Sequence, residues 1–96
     1  MNAKLTAETE ADLLRGMDWF DKISFGLGDQ FESEFFNALA PIKQDPYLFA
    51  ANHTGYRSCR LKRFTAVLYF RIDGDLIVVV GLFTSGEDET VLQKRG

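Results

Sequence analysis

Residues 66–83 have the sequence Ala-Val-Leu-Tyr-Phe-Arg-Ile-Asp-Gly-Asp-Leu-Ile-Val-Val-Val-Gly-Leu-Phe and carry the clearest folding signal of the chain. Two segments rich in β-branched and aromatic residues, 66–72 and 76–83, flank the pair Asp73-Gly74. Such a pair between two apolar segments indicates a β-hairpin, because a type I′ turn requires positive φ at both central residues. The sequence therefore predicts two adjacent antiparallel strands here.

Further strands are predicted upstream of this hairpin. Residues 56–64 alternate in character, with Cys59 and Leu61 on one face and polar or charged residues on the other. An irregular loop, 45–55, precedes them. A short first strand is expected near the N-terminus, over residues 3–6.

Two helices are predicted between that first strand and the loop. Residues 8–23 place apolar side chains at helical spacing, with Thr6 or Thr9 as the cap. Residues 29–44 form one apolar stripe at i, i+4, i+8 and i+11, made of Phe31, Phe35, Leu39 and Ile42. Pro41 lacks a backbone donor, so we expect a bend or an early end there. The short link between the helices makes them antiparallel neighbours.

These elements predict the α+β class, with an N-terminal helical hairpin packed on a small antiparallel sheet of three to four strands. A polar C-terminal tail or short helix follows, capped by Ser85 and anchored by Val91 and Leu92. We expect this tail to be mobile or partner-dependent. The chain has 96 residues, and we expect residues 1–96 to form a single domain.

Cysteine and histidine content limits the chemistry. Cys59 is the one cysteine, which excludes an internal disulfide and a thiolate zinc site, and favours a buried apolar role in a reducing compartment. His53 is the one histidine, and phosphate-binding glycine loops are lacking. The apolar run 76–83 is too short to span a membrane. We expect a cytoplasmic protein without a cofactor, a metal, a membrane partner or a small-molecule substrate.

Charge is distributed unevenly along the chain. The net charge is −3, yet residues 56–71 contain five positive residues and no acidic one. This basic cluster comprises Arg57, Arg60, Lys62, Arg63 and Arg71. Arginines on a rigid sheet can bind phosphates in bidentate fashion, and Tyr69 lies on the face of Arg71. Spacing alone favours the alternative, in which these residues lie on an ordinary solvent-exposed face of the sheet or pair with the acidic helices and the acidic tail.

A set of short motifs follows in order along residues 9–83. Its helical part comprises Asp12-Leu13, Trp19-Phe20, Gly26-Leu27-Gly28, Phe31, Phe35, Ala38-Leu39, Ile42 and Asp45-Pro46. Its sheet part comprises Arg57, Lys62-Arg63-Phe64, Val67-Leu68-Tyr69-Phe70-Arg71, Asp73-Gly74-Asp75 and Ile77-Val78-Val79-Val80. In this order the motifs resemble the RelE/ParE superfamily of plasmid-stabilisation toxins, and the ParE-like members more closely.

The resemblance implies the toxin of a bacterial type II toxin–antitoxin system, held inactive by an antitoxin that wraps around it. Members of the superfamily are ribosome-dependent mRNA endonucleases or inhibitors of DNA gyrase, and both kinds inhibit growth. This chain has Thr65-Ala66 where the family usually has Pro-Tyr, and Phe83–Asp88 replaces the His-x-x-Arg of many members. Loss of a positioned general acid or base typically costs about 10²–10⁴-fold in rate, which argues against an enzyme.

Three interpretations remain open. The first is a ParE-like toxin that binds a protein target such as DNA gyrase and has no catalytic residues. The second is a RelE-like ribonuclease acting on mRNA at the ribosome, with Arg57, Arg63 and Arg71 as phosphate clamps and Tyr69 in place of the base. The third is a catalytically inactive relative. In each, we expect the basic cluster, the exposed sheet face and the tail to bind a cognate antitoxin through an amphipathic helix or an added strand.

Overall fold

The computed structural model describes residues 1–84, 87 and 89–95. The elements in chain order are β1 (Asn2–Leu5), α1 (Ala7–Ile23), α2 (Leu27–Gln44), β2 (Arg57–Arg60), β3 (Ala66–Asp73), β4 (Leu76–Thr84) and α3 (Leu92–Arg95), with 3-10 turns at Pro46–Leu48 and Glu89–Val91. The predicted class is confirmed, because a helical hairpin packs on a four-stranded sheet.

The sheet has the strand order β1-β4-β3-β2. One of its two inner strands, β3, runs antiparallel to both β2 and β4, as predicted. At the edge, β1 pairs with β4 in the parallel sense, so the sheet is mixed rather than wholly antiparallel. The connection from β1 to β4 spans both helices and the other two strands.

The hairpin between β3 and β4 forms where the sequence predicts it, but the turn type differs. Asp73 pairs with Leu76, so the two central residues are Gly74 and Asp75. Gly74 has a φ of 63°, whereas Asp75 lies outside the positive region. Positive φ at a first-position glycine alone is the pattern of a type II′ turn. The prediction of a type I′ turn centred on Asp73-Gly74 is therefore wrong.

The helices bury the predicted apolar stripe against the sheet. The side chain of Thr6 caps α1 by accepting a hydrogen bond from the Thr9 backbone N–H at 3.1 Å. In α2, Phe31, Phe35 and Ile42 are fully buried and Leu39 is nearly so. Pro41 does not end α2 early, because it lies in the last turn and the helix continues to Gln44.

The predicted strand over 56–64 is shorter than expected. β2 ends at Arg60, and the backbone N–H of Leu61 donates to the carbonyl of Ala66 at 3.0 Å, which closes a turn into β3. Within this turn Arg63 has a φ of 69°, which is incompatible with an extended strand. Lys62 and Arg63 therefore lie in a turn and not on the sheet.

The second face of the sheet, opposite the helices, is partly covered by the C-terminal segment, residues 89–95. A second apolar cluster forms there from Tyr69, Val78, Val80, Phe83 and Leu92. Leu92 is fully buried. The prediction of a mobile or partner-dependent tail is therefore wrong for this segment, because its apolar anchor packs on the sheet. The predicted cap, Ser85, lies outside the described residues.

Close packing of α1 on α2 depends on Gly16. A Cβ atom at this position would lie 2.5 Å from Cε2 of Phe31. We expect Gly16→Ala to lower the free energy of unfolding by about 2 kcal/mol through overpacking, although alanine is intrinsically the better helix former. Urea unfolding followed by circular dichroism measures the change.

The matched control is Ser33→Ala, an exposed position of α2. We expect this variant to stay within about 0.5 kcal/mol of the wild type. A Gly16→Ala variant as stable as the control would contradict the close contact between Gly16 and Phe31.

Candidate functional site

Arg57 and Arg71 border the same cavity, of about 560 Å³, together with Tyr47. The Arg57 guanidinium donates to the carbonyl of Phe49 at 2.7 Å and lies 5.4 Å from the centroid of the Tyr47 ring. Arg71 forms an ion pair with Asp73 at 3.3 Å. Both guanidinium groups thus already have partners within the chain.

The rest of the basic cluster lies around a different cavity. Arg60, Lys62 and Arg63 border a space of about 590 Å³ that also contacts α2. The Arg63 side chain is 77% exposed and reaches Glu34 at 3.8 Å, a weak ion pair. The structure therefore divides the basic cluster, because the turn at residues 61–65 separates Arg63 from Arg57 and Arg71.

Two residues with reactive side chains, Tyr69 and Cys59, are buried to different degrees. The Tyr69 ring is only 4% exposed and packs against Phe83 with a centroid distance of 5.8 Å. Cys59 packs against the helix-side core but is only partly buried, less than predicted, and this partial burial raises the pKa of its thiol. Burial of this kind makes a cysteine less reactive. His53, in contrast, is exposed in the loop after α2.

The carboxylate of Asp12 on α1 has several hydrogen-bond partners, a role that the sequence did not reveal. It is buried, and it accepts a hydrogen bond from the backbone N–H of Leu82 at 3.1 Å. Both terminal nitrogens of the Arg95 guanidinium donate to it, at 2.6 and 3.2 Å, and a terminal nitrogen of Arg15 donates to it at 2.9 Å. Asp12 thereby joins α1, β4 and the C-terminal segment.

Arg15 extends this network to Glu87, whose carboxylate it contacts at 2.8 Å. Glu87 also accepts hydrogen bonds from the backbone N–H and the hydroxyl of Thr84, at 2.9 and 2.7 Å. Partial burial opposes ionisation of Glu87, but the hydrogen bonds from Thr84 and Arg15 outweigh it and lower its pKa. Burial likewise disfavours the charged form of Arg15, but the hydrogen bonds and negative charges of Glu87 and Asp12 outweigh it and raise the pKa of Arg15.

Glu87 lies in the stretch where the resembled family often has a histidine and an arginine. It borders a cavity of about 320 Å³ together with Arg60 and Tyr69. A general acid or base is most effective when its pKa lies near the operating pH. The lowered pKa of Glu87 makes it a poor candidate for that role near neutrality.

Across residues 1–84, 87 and 89–95, no three His, Cys, Asp or Glu side chains form a group that could hold a metal ion. Among the helices in this part of the chain, none combines the length and apolar character needed to cross a membrane.

The fold is that of a small α+β protein in which a helical hairpin covers one face of a four-stranded mixed sheet. A solved structure with this fold is a chain of the chromosomal ParDE TA system from P. aeruginosa, with a TM-score of 0.78. The two chains share 20% sequence identity over 88% of this chain and 95% of the other. No family model and no curated protein matches the chain. The similarity confirms the fold that the sequence resemblance implied.

Asp12 provides a direct test of the buried network. We expect Asp12→Asn to lower the free energy of unfolding by about 3 kcal/mol, because it leaves the partly buried guanidinium of Arg95 without a counter-charge. The matched control is Asp18→Asn on the same helix, where the carboxylate is 71% exposed. A change within about 0.5 kcal/mol is expected for it. Equal effects of the two variants in urea unfolding would contradict the role of Asp12.

Glu87 predicts a pH-dependent contribution to stability. Its pKa in the folded chain lies below its unfolded value, so the contribution is complete above the unfolded pKa of about 4.3. It is lost as the pH falls through the folded-state pKa. We expect Glu87→Gln to unfold at a lower urea concentration than the wild type at pH 7, and the difference to vanish in more acidic solution. A difference that stays constant from pH 7 to pH 3 would contradict this.

Proposed function

We propose that this chain is the toxin of a bacterial type II toxin–antitoxin system, ParE-like in kind, which inhibits growth by binding a protein target such as DNA gyrase. The observation that carries the proposal is the fold similarity to a chain of the ParDE system, which extends over 88% of the chain. The resemblance in the sequence motifs points to the same class independently. The proposed toxin is cytoplasmic, forms a single domain over residues 1–96 and uses no cofactor.

Action through protein contact, and not through cleavage, is supported by the state of the candidate catalytic groups. Arg63 lies apart from the cavity that Arg57 and Arg71 share. Tyr69 is buried. Glu87 is held as a carboxylate with a lowered pKa. Phosphodiester cleavage requires a proton acceptor within reach of the attacking hydroxyl, and these residues supply it poorly.

A cognate antitoxin would cover the exposed apolar side chains at the end of the helical hairpin. Trp19, Ile23 and Phe25 are 59, 61 and 100% exposed. Apolar residues grouped in this way commonly mark a protein-binding surface. The charge around them is acidic, since residues 1–48 contain nine acidic and four basic residues, so we expect the antitoxin to contribute basic residues here. Arg60, Lys62 and Arg63 offer a second contact region of opposite charge.

A ribosome-dependent mRNA endonuclease is the second candidate. The observation that favours it is that Arg57 and Arg71 border one cavity, where both could contact the same phosphate. A catalytically inactive relative that binds only the antitoxin would have the same fold.

Expression without the antitoxin separates these functions. We expect growth arrest of the bacterial host, intact messenger RNA on ribosomes and altered plasmid supercoiling. Arg57→Ala and Arg71→Ala are expected to leave the arrest unchanged, because a protein-binding toxin does not depend on a phosphate clamp. Ser33→Ala is the matched control for expression and folding. Messenger cleavage that is lost in Arg71→Ala would instead establish the endonuclease, and the absence of arrest would leave the inactive relative.

A further inference from the structure

The tip of the helical hairpin, residues 18–29, presents Phe25 on a rigid turn. The Phe25 side chain is fully exposed in the link between α1 and α2. The backbone N–H of Gly28 donates to the carboxylate of Asp21 at 2.8 Å, which ties the start of α2 to α1. The helices approach so closely here that a Cβ atom at Gly28 would collide with the carbonyl oxygen of Met17. Because a fixed turn loses little conformational entropy on binding, Phe25 is a preorganised apolar anchor.

A groove lies beside the tip, between α1 and the end of the sheet. Its first part has a volume of about 490 Å³ and is bordered by the aromatic rings of Trp19 and Phe20. Its second part, of about 320 Å³, shares Thr65 and Thr84 with the first and reaches Arg60 at the end of β2. The groove thus has aromatic walls at one end, against which a phenylalanine ring can pack, and a positive charge at the other.

Two further charged side chains border the groove, and they neutralise each other. Arg15 and Glu87 form an ion pair at 2.8 Å. An apolar side chain that enters the groove therefore does not have to separate a charge from its partner. The electrostatic character of this end of the molecule is set by the segments on either side of the groove.

Those segments have charges of opposite sign. The tip contains three acidic residues and one basic residue, whereas the basic loop, residues 60–65, contains three basic residues and no acidic one. Of the three, Arg63 has a weak ion pair with Glu34 at 3.8 Å. The tip and the basic loop lie at the same end of the molecule, because the ring centroid of Phe64 is 4.9 Å from that of Phe20.

We propose that this end of the molecule is self-complementary and that two copies of the chain form a symmetric dimer through it. A two-fold axis places Phe25 of each copy in the groove of the other, and the acidic tip of each copy against the basic loop of the other. Such an isologous contact is closed, so association stops at two copies. The occupant is a second copy because one chain supplies the anchor, the groove and both signs of charge side by side.

The dimer does not depend on the proposed toxin activity. The proposed antitoxin covers the same tip, so binding of the antitoxin and binding of a second copy would exclude each other. Exposed charges attract each other less as salt is added. Association of the two copies is therefore expected to weaken at high ionic strength.

Sedimentation velocity of the full chain, made by cell-free synthesis, tests the proposal. We expect the wild type to show a monomer–dimer equilibrium between micromolar and submillimolar concentrations. Phe25→Ala removes two anchors from each dimer, so we expect the dissociation constant to rise by about a hundredfold. The matched control is Leu48→Ala, which truncates another exposed apolar side chain just after the far end of α2. This control is expected to associate like the wild type.

An exchange of charge tests the reciprocal contact between tip and loop. Arg60→Glu/Lys62→Glu makes the loop acidic, and Asp18→Lys/Asp29→Lys makes the tip basic. Asp21 is left in place because it holds the turn. Each double variant alone is expected to stay monomeric, since like charges then face each other across the two-fold axis. Mixed in equal amounts, the two variants are expected to form a heterodimer, in which each tip meets a loop of opposite charge.

Circular dichroism establishes that each variant is folded, and Phe25→Ala decides alone if a charge variant is not. A wild-type chain that stays monomeric would assign the surface to a different protein and overturn the proposal. A dimer that Phe25→Ala does not weaken, or charge variants that do not associate when mixed, would overturn it as well. Assemblies that grow beyond two copies would indicate a head-to-tail contact and contradict the two-fold axis. Each result is independent of growth arrest.

Discussion

The burial of the α2 stripe between α1 and the sheet is the interaction on which the rest of the architecture depends. Phe31 begins the stripe, and its ring centroid lies 4.9 Å from that of Phe20 on α1 and 5.2 Å from that of Phe64 before β3. A fully buried phenylalanine contributes about 2–3 kcal/mol of transfer free energy, and α2 buries two of them. This packing commits one face of the sheet to the helices, so only the second face and the two edge strands of the sheet remain accessible from outside the helix layer.

The Asp12 carboxylate connects these two sides of the sheet. It projects from the helix layer to the backbone of β4, where it accepts a hydrogen bond from the N–H of Leu82. Because Arg95 reaches the same carboxylate from the C-terminal segment, the covering of the second face depends on a residue of the helix layer. A change at Asp12 thus affects the core and the second face together, whereas a change at Leu92 affects the second face alone.

Elements with a local signal could be predicted from the sequence. The 3.6-residue period identified the stripe that includes Phe31 and Phe35, and the segments around Asp73-Gly74 identified the hairpin. The structure differs from these predictions where the interaction that determines it joins residues far apart in the sequence. Asp12 and Arg95 are separated by 83 positions, so Asp12 resembled an ordinary acidic residue near a helix start. The left-handed conformation of Arg63 has no sequence signature, since such positions usually belong to glycine or asparagine, and it moved Lys62 and Arg63 off the predicted strand.

The use of charge within the chain bears on what the protein can bind. Arginines free to contact a polyanion would be expected to project without partners, but Arg15 and Arg95 bind carboxylates, and Arg57 binds a backbone carbonyl. Carboxylates compensate the positive charges of Arg15 and Arg95 within the chain, and the net charge of −3 repels nucleic acid at a distance. Exposed apolar surface at the helical hairpin remains as the stronger source of binding free energy. Protein partners are therefore better suited to this surface than an RNA or DNA backbone.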